Sequence, residues 1–188
     1  MIWTLVLILL AAAALLMLLE RRGLPTTLEL NFRGDIKRET GWLAQYGQGA
    51  CTLAVVLLVW RLDARRNAPA AIIAAVAGAS LLGLLIKRLS GRVRPRRPSA
   101  GRFLGFTWAH DNARESFPST HSASAVALSV CLAVLYPPGA AVFWGLAVAC
   151  AALRYVLDAH WPSDVLAGIA LGLAAGQLAL YYFPVALR

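Results

Sequence analysis

Arg154, Asp158, His160 and Asp164 lie within eleven residues, between two long apolar runs. Ionisable groups so close to apolar spans are costly to hold and are functional candidates by default. Pro162 suits the first position of a helix, where its missing N–H is no loss. His160 then falls just before a helix start and Asp164 in its first turn, where the helix dipole favours a carboxylate. A carboxylate beside an imidazole can fix its tautomer and make the free ring nitrogen a better base or nucleophile. The plainer reading is a loop with one chance ion pair.

Pro118, Ser119, Thr120 and His121 repeat the pattern of a proline opening a helix. First-turn N–H groups lack intrahelical partners and form a ready site for an anion, phosphate above all. Ser119 and Thr120 can add hydroxyl donors beside His121, although an ordinary Ser/Thr-rich helix start looks the same. Lys87, Arg94 and Arg154 can supply positive charge, arginine as a two-pronged fork and lysine as a mobile point charge. Arg88, Arg96, Arg97 and Arg102 read as flanking cations at headgroup level. Two histidines at one phosphate divide the labour: one attacks phosphorus, the other protonates the leaving oxygen. His160, with its carboxylate neighbour, is the candidate nucleophile. His121 is the candidate acid, and later the base that activates water.

The composition indicates what holds these residues. The chain has 188 residues, 60% of them hydrophobic, with a mean hydropathy of +0.66. Soluble domains are nearer half apolar, so residues 1–188 read as one membrane-embedded domain. Apolar runs at residues 2–19, 42–60, 69–86, 117–136, 140–157 and 162–184 predict an all-α polytopic protein with six transmembrane helices in one bundle. A cleaved signal peptide is the rival reading of the first run. That run lacks a basic start, and Glu20, Arg21 and Arg22 follow it where cleavage would fall. Residues 21–40 mix charges with Leu28, Leu30, Phe32 and Ile36 and read as an interfacial segment.

Net charge is +9, and eight of the eighteen Lys and Arg fall between Lys87 and Arg114. A basic cluster bounded by spans suggests a phosphate-bearing partner, lipid headgroup or substrate, at the bilayer. Nucleic acid is a poor alternative, because no soluble module presents the charge. Cys51, Cys131 and Cys150 all lie in apolar runs without CxxC spacing and read as small core residues. No carboxylate cluster suited to Mg²⁺ or Ca²⁺ is evident, so metal-free chemistry is expected.

Six spans place the ends of the third and fifth, and the starts of the fourth and sixth, on one side of the membrane. Lys87, Arg94, Ser119, His121, Arg154 and Asp164 should therefore converge. The loop with Arg61, Arg65 and Arg66 reads as cytoplasmic, putting the site on the outer, periplasmic face of a bacterial inner membrane. The site side carries more Lys and Arg, against a plain positive-inside count, and this excess reads as phosphate ligands. Gly168, Gly172 and Gly176 share one helical face and should admit a close helix neighbour inside the bundle, or a dimer partner. Monomer and homodimer both remain open.

Lys87, six residues and Arg94-Pro95; Pro118-Ser119-Thr120-His121; and Arg154, five residues, His160, three residues and Asp164 resemble the three signatures of the type 2 phosphatidic acid phosphatase superfamily. Their order and placement on six helices match too, over roughly the second half of the chain. The resemblance implies a lipid phosphate phosphatase that needs no metal or other cofactor. It makes His160 the nucleophile, Asp164 its carboxylate partner and His121 the acid/base, with phosphate held by Lys87, Arg94, Ser119, Thr120 and Arg154. Three positions depart from the pattern. Thr120 stands where glycine is usual, Leu153 where serine is usual, and Asp158 where a small residue is common. Asp158 could pair with Arg154 or a headgroup.

Phosphatidate, phosphatidylglycerophosphate, undecaprenyl diphosphate and lipid A phosphates are all candidate substrates, with isoprenyl diphosphates and glycerophospholipid phosphates favoured. The same residues would serve a phosphotransferase that passes the phosphoryl group to another lipid. A non-catalytic lipid-binding or lipid-moving protein is a third reading, which the intact His121, His160 and Asp164 disfavour. The soluble vanadate-dependent haloperoxidases share the signatures, but six spans make that reading remote.

Overall fold

The computed structural model describes residues 1–28, 30 and 40–185, and these residues contain helices but no strand. The heart of the expected interfacial segment, residues 29 and 31–39, lies outside the described residues. The main helices are α1 (Ile2–Arg21), α2 (Gly49–Leu62), α3 (Asn67–Ser90), α4 (Thr120–Leu135), α5 (Ala140–Val156) and α6 (Pro162–Tyr182).

Helix α4 is the centre of the bundle. Twelve of its sixteen residues are buried, the mark of a helix covered on every side. Helix α6 packs along it through the glycine stripe. A Cβ at Gly168 would strike the Ser119 carbonyl, and Cβ atoms at Gly172 and Gly176 would strike Val126 and Val130. The stripe thus faces the interior of the bundle, where it was expected to pack. Helices α1 and α3 flank α6, while α5 packs on α4. The outward faces of α1, α2, α3 and α5 expose Leu7, Ile8, Leu57, Leu81 and Val148, apolar side chains suited to lipid contact. Hydroxyl pairs stitch the inside: Ser80 Oγ lies 3.0 Å from Ser124 Oγ, and Tyr46 Oη lies 2.9 Å from Ser129 Oγ.

Four helices (α1, α3, α5 with its preceding turn, and α6) have the length and apolarity to cross a bilayer. The second and fourth expected spans give shorter helices of 14 and 16 residues. At 1.5 Å per residue these cover roughly 21 and 24 Å of a core about 30 Å thick. The second differs for a local reason. Residues 44–48 form turns, and Gly47, at φ +79°, packs where a Cβ would strike the Ala125 backbone. The fourth starts two residues after Pro118, which sits in a cis peptide outside the helix.

Candidate active site

Helix α3 ends at Gly91, whose left-handed backbone caps it with an N–H to the Lys87 carbonyl at 3.0 Å. Lys87 is therefore in the last turn of α3 and buried. The chain then folds over the bundle as a knitted cap. Val93 N bonds Arg102 O at 2.9 Å, Arg94 N bonds Ala113 O at 2.9 Å and Ser116 N bonds Arg92 O at 3.0 Å. Arg94 lies in this cap, beyond the end of α3.

Arg154 closes α5. Its carbonyl accepts N–H groups from Ala159 and His160, both at 3.1 Å, so a tight loop brings His160 back beside it. Asp158 makes this turn possible at φ +50°, a conformation that Asp tolerates better than most residues. Its buried carboxylate pairs with Arg96 rather than with Arg154. Arg96 is accordingly more than a flanking cation. Arg88 likewise pairs with buried Glu115 at 3.2 Å, whose Oε1 also meets His110 Nδ1 at 2.8 Å. Arg97 and Arg102 are exposed.

His160 is 1% exposed. Its Nδ1 lies 2.7 Å from the Ser116 carbonyl. A carbonyl only accepts, so Nδ1 carries the proton and Nε2 the lone pair. Nε2 is buried with no hydrogen-bond partner. Burial pulls the His160 pKa down to about 4, helped by the Arg94 and Arg154 cations and opposed by Asp164, so the ring is neutral near pH 7.

The expected His160–Asp164 hydrogen bond is absent, since Asp164 Oδ2 stands 3.9 Å from Nδ1. Ser116 takes its place: its carbonyl holds His160 while its Oγ donates to Asp164 Oδ2. Asp164 also accepts the Trp161 N–H at 3.1 Å and an ion-paired hydrogen bond from Arg92. Arg92 is fully buried and reaches on to Glu20 at the end of α1, whose carboxylate accepts Ser163 N–H at 3.2 Å and Ser163 Oγ at 2.6 Å. The sequence reading missed Arg92, Glu20, Ser116 and Ser163. Glu20 carried a usable signal, an acid directly after an apolar span. Arg92 and the two serines carried none that set them apart from their neighbours.

At the start of α4, Ser119 is the N-cap. Its Oγ accepts the Ser122 N–H and shares a hydrogen bond with Ser122 Oγ at 2.9 Å, while its own N–H donates to the Asp164 carbonyl at 2.9 Å. Ser119 thereby ties the two helix starts together. Thr120 and His121 occupy the first turn, both half-buried. The Thr120 methyl lies against Gly83 of α3, where a Cβ would come within 2.6 Å of it. That glycine makes the room which a glycine at position 120 would otherwise leave.

Charge completes the picture. His121 interacts electrostatically with Arg154, His160, Lys87 and Arg94, and Lys87 with Arg94, Glu115, Arg154 and Asp164. Arg94 donates weakly to the Ala159 and Glu115 carbonyls, at 3.3 and 3.4 Å. The Nε atoms of Arg94 and Arg154 are buried without partners. All eight residues singled out by sequence thus gather at one end of the bundle.

Fold and site define a class: all-helical membrane proteins with two histidines, a buried aspartate and clustered cations at one end of the helices. Within that class the chain belongs to the PAP2 superfamily, whose sequence profile matches residues 68–188. It is 39% identical over 93 residues to a lipid A 1-phosphatase of Rhizobium johnstonii, covering 49% of this chain and 38% of that protein. It is 32% identical over 124 residues to the putative undecaprenyl-diphosphatase YbjG of Escherichia coli, covering 64% of this chain and 60% of the relative. The chain therefore spans less than two thirds of the length of these relatives. Two crystal structures share the fold, each with a TM-score of 0.66 at 20% identity. Aquifex aeolicus LpxE covers 81% of this chain and 90% of its own. The PAP2-type phosphatidylglycerolphosphate phosphatase of Bacillus subtilis covers 96% and 93%.

Proposed function

We propose that the protein is a metal-independent lipid phosphate phosphatase that works through a phosphohistidine on His160. The observation that carries this reading is the His160 ring itself: Nδ1 is held by the Ser116 carbonyl, while Nε2 is buried, neutral and unpartnered among cations. A buried lone pair so arranged is poised for an electrophile. Lys87, Arg94 and Arg154, with the first-turn N–H groups of α4, hold the phosphate and stabilise charge on its equatorial oxygens. Thr120 adds a hydroxyl, and Ser119 can add its own hydrogen when Ser122 donates to it.

In the first step the Nε2–P bond forms as the bond from phosphorus to the lipid oxygen breaks. Protonated His121 gives its proton to that oxygen, releasing a lipid alcohol or, from a diphosphate, a lipid monophosphate. The substrate's negative charge offsets the surrounding cations and favours protonated His121. In the second step His121, now neutral, takes a proton from water as its oxygen attacks phosphorus. The N–P bond breaks, inorganic phosphate leaves and His160 returns unchanged. Asp164, held by Arg92, Ser116 and Trp161, stabilises the positive charge that grows on His160.

The relatives named for lipid A and undecaprenyl diphosphate support a membrane lipid phosphate as substrate. All six main helices cross the membrane in this reading, the turns at residues 44–48 completing the second crossing. The Asp63–Arg65 end is cytoplasmic and the site lies on the outer face. Arg94, Thr120, His121 and Arg154 are half-buried, marking the side from which the phosphate enters.

The test is phosphate release by detergent-purified protein in EDTA, wild type beside His160→Ala, across phosphatidate, phosphatidylglycerophosphate, undecaprenyl diphosphate and lipid A. Release by the wild type alone is expected. A strict Mg²⁺ requirement, or equal release by both proteins, would refute the mechanism. Lipid-linked phosphate appearing on an added acceptor, without inorganic phosphate, would make the protein a transferase.

A further inference from the structure

Between the end of α1, the start of α6 and the segment around Arg102 lies a cavity of about 320 Å³. Arg21, Arg92 and Arg102 line it together with Glu20, Phe103 and Trp161. Its only acid is already engaged: Glu20 pairs with Arg92 and accepts from the Ser163 N–H and Oγ. Neither Arg21 nor Arg102 meets a carboxylate among the described residues. Arg21 stacks over Phe103 at 5.4 Å, and Arg92 lies between the Phe103 and Trp161 rings at 5.3 and 5.4 Å.

The decisive detail is Arg92. Its side chain is fully buried and its terminal nitrogens bond Asp164, Ser163 and Glu20, yet its Nε–H has no acceptor. A buried charged donor left unpaired is expensive, and negative charge held in the adjoining cavity offsets that cost. Arginine forks at headgroup level, two of them without a carboxylate, select an oxyanion with several acceptor oxygens.

We infer that this cavity is a second phosphate-type oxyanion site, separate from the His160–His121 centre. Its ligand is a phosphate group, carried by a phospholipid headgroup or free in solution. Arg92 adds its charge to the cavity wall while Arg21 and Arg102 close over the ligand from the surface.

The test uses three full-length proteins in neutral detergent: wild type, Arg21→Gln/Arg102→Gln, and Arg61→Gln/Arg66→Gln as a control with equal charge loss at the other end. Arg92 is left in place because it also holds Asp164. The four altered side chains are exposed, and an unchanged thermal midpoint in plain buffer verifies folding. Arg102→Gln alone substitutes if the double variant is unstable. Native mass spectrometry measures retention of phosphatidylglycerol against phosphatidylcholine, and thermal unfolding measures protection by inorganic phosphate. Retention at least fivefold weaker in Arg21→Gln/Arg102→Gln alone assigns the site to a headgroup. Phosphate protection weakened in that variant alone, down to what the intact His160 centre still gives, assigns it to the free ion. Equal retention and equal protection in all three proteins overturn the inference. Neither readout needs turnover, so the result stands apart from the fate of the His160 mechanism.

Discussion

The two ends of the bundle each hold an ionic cluster, and they differ in what is left unpaired. At the end far from the site, Arg65 grips Asp63 through Nε and a terminal nitrogen and also donates to the Leu135 carbonyl at 2.9 Å. Tyr136 Oη donates to Asp63 at 2.8 Å, and the Arg65 guanidinium stacks over the Tyr136 ring at 5.3 Å. The Arg65 guanidinium holds the Asp63 carboxyl well below the usual carboxylate range. Asp63 and Arg65 complete each other, fastening the α2–α3 turn to the end of α4. At the site end, by contrast, His160 Nε2 and the Nε atoms of Arg92, Arg94 and Arg154 are buried without partners. A fold that satisfies its polar groups so fully at one end leaves them open at the other where a ligand is to supply the missing bonds. Satisfaction marks structure, and its absence marks the site.

That contrast can be broken by mutation. The largest expected effect is on turnover. His160→Ala should reduce it to background, while Asp63→Asn should leave it within about twofold, checked by phosphate release from the preferred lipid. His121→Ala should slow release by on the order of 10²-fold or more, as loss of general acid catalysis does. The loss should shrink with an aryl phosphate, whose leaving group needs little protonation.

Stability should separate the two clusters next. Arg92→Leu strands the buried carboxylates of Asp164 and Glu20 and should cost about 3–5 kcal/mol. Arg65→Leu leaves Asp63 the Tyr136 hydroxyl and the residue-65 N–H as donors and should cost less, about 1–3 kcal/mol. Thermal unfolding in detergent compares them, and equal losses would erase the distinction.

The smallest effect is a pH slope. His160 has a folded pKa of about 4, below the roughly 6.5 of a free imidazole. As pH falls below 6.5 the unfolded chain takes up this proton first, so stability is lost progressively down to about pH 4. His160→Asn should make that slope shallower. Asp63, held low by Arg65, keeps its contribution until still lower pH.

Much of this arrangement was legible from the residues. Hydropathy marked the apolar runs, and counting them placed Lys87, His121, Arg154 and Asp164 at one end. Glycine spacing identified the face of α6 that meets α4. What pattern alone could not show was the path of the chain between helices. The non-helical entry at residues 44–48 shortens α2, and the cap after Gly91 carries Ser116 between His160 and Asp164. Both depend on contacts far apart in sequence. Arg92 was hidden for the same reason: among eight neighbouring cations, only tertiary packing singles out the one that spans Glu20 and Asp164.

The central claim is that the His160 Nε2 atom takes up the phosphoryl group. The most direct measurement is alkaline-quench trapping of a protein-bound phosphoryl group from a phosphate-labelled lipid or aryl phosphate, in wild type, His121→Ala and His160→Ala. The account predicts acid-labile, base-stable label on His160 that accumulates in His121→Ala with an aryl phosphate substrate and is missing from His160→Ala. Label that persists in His160→Ala, or hydrolysis at the wild-type rate without His160, would contradict it.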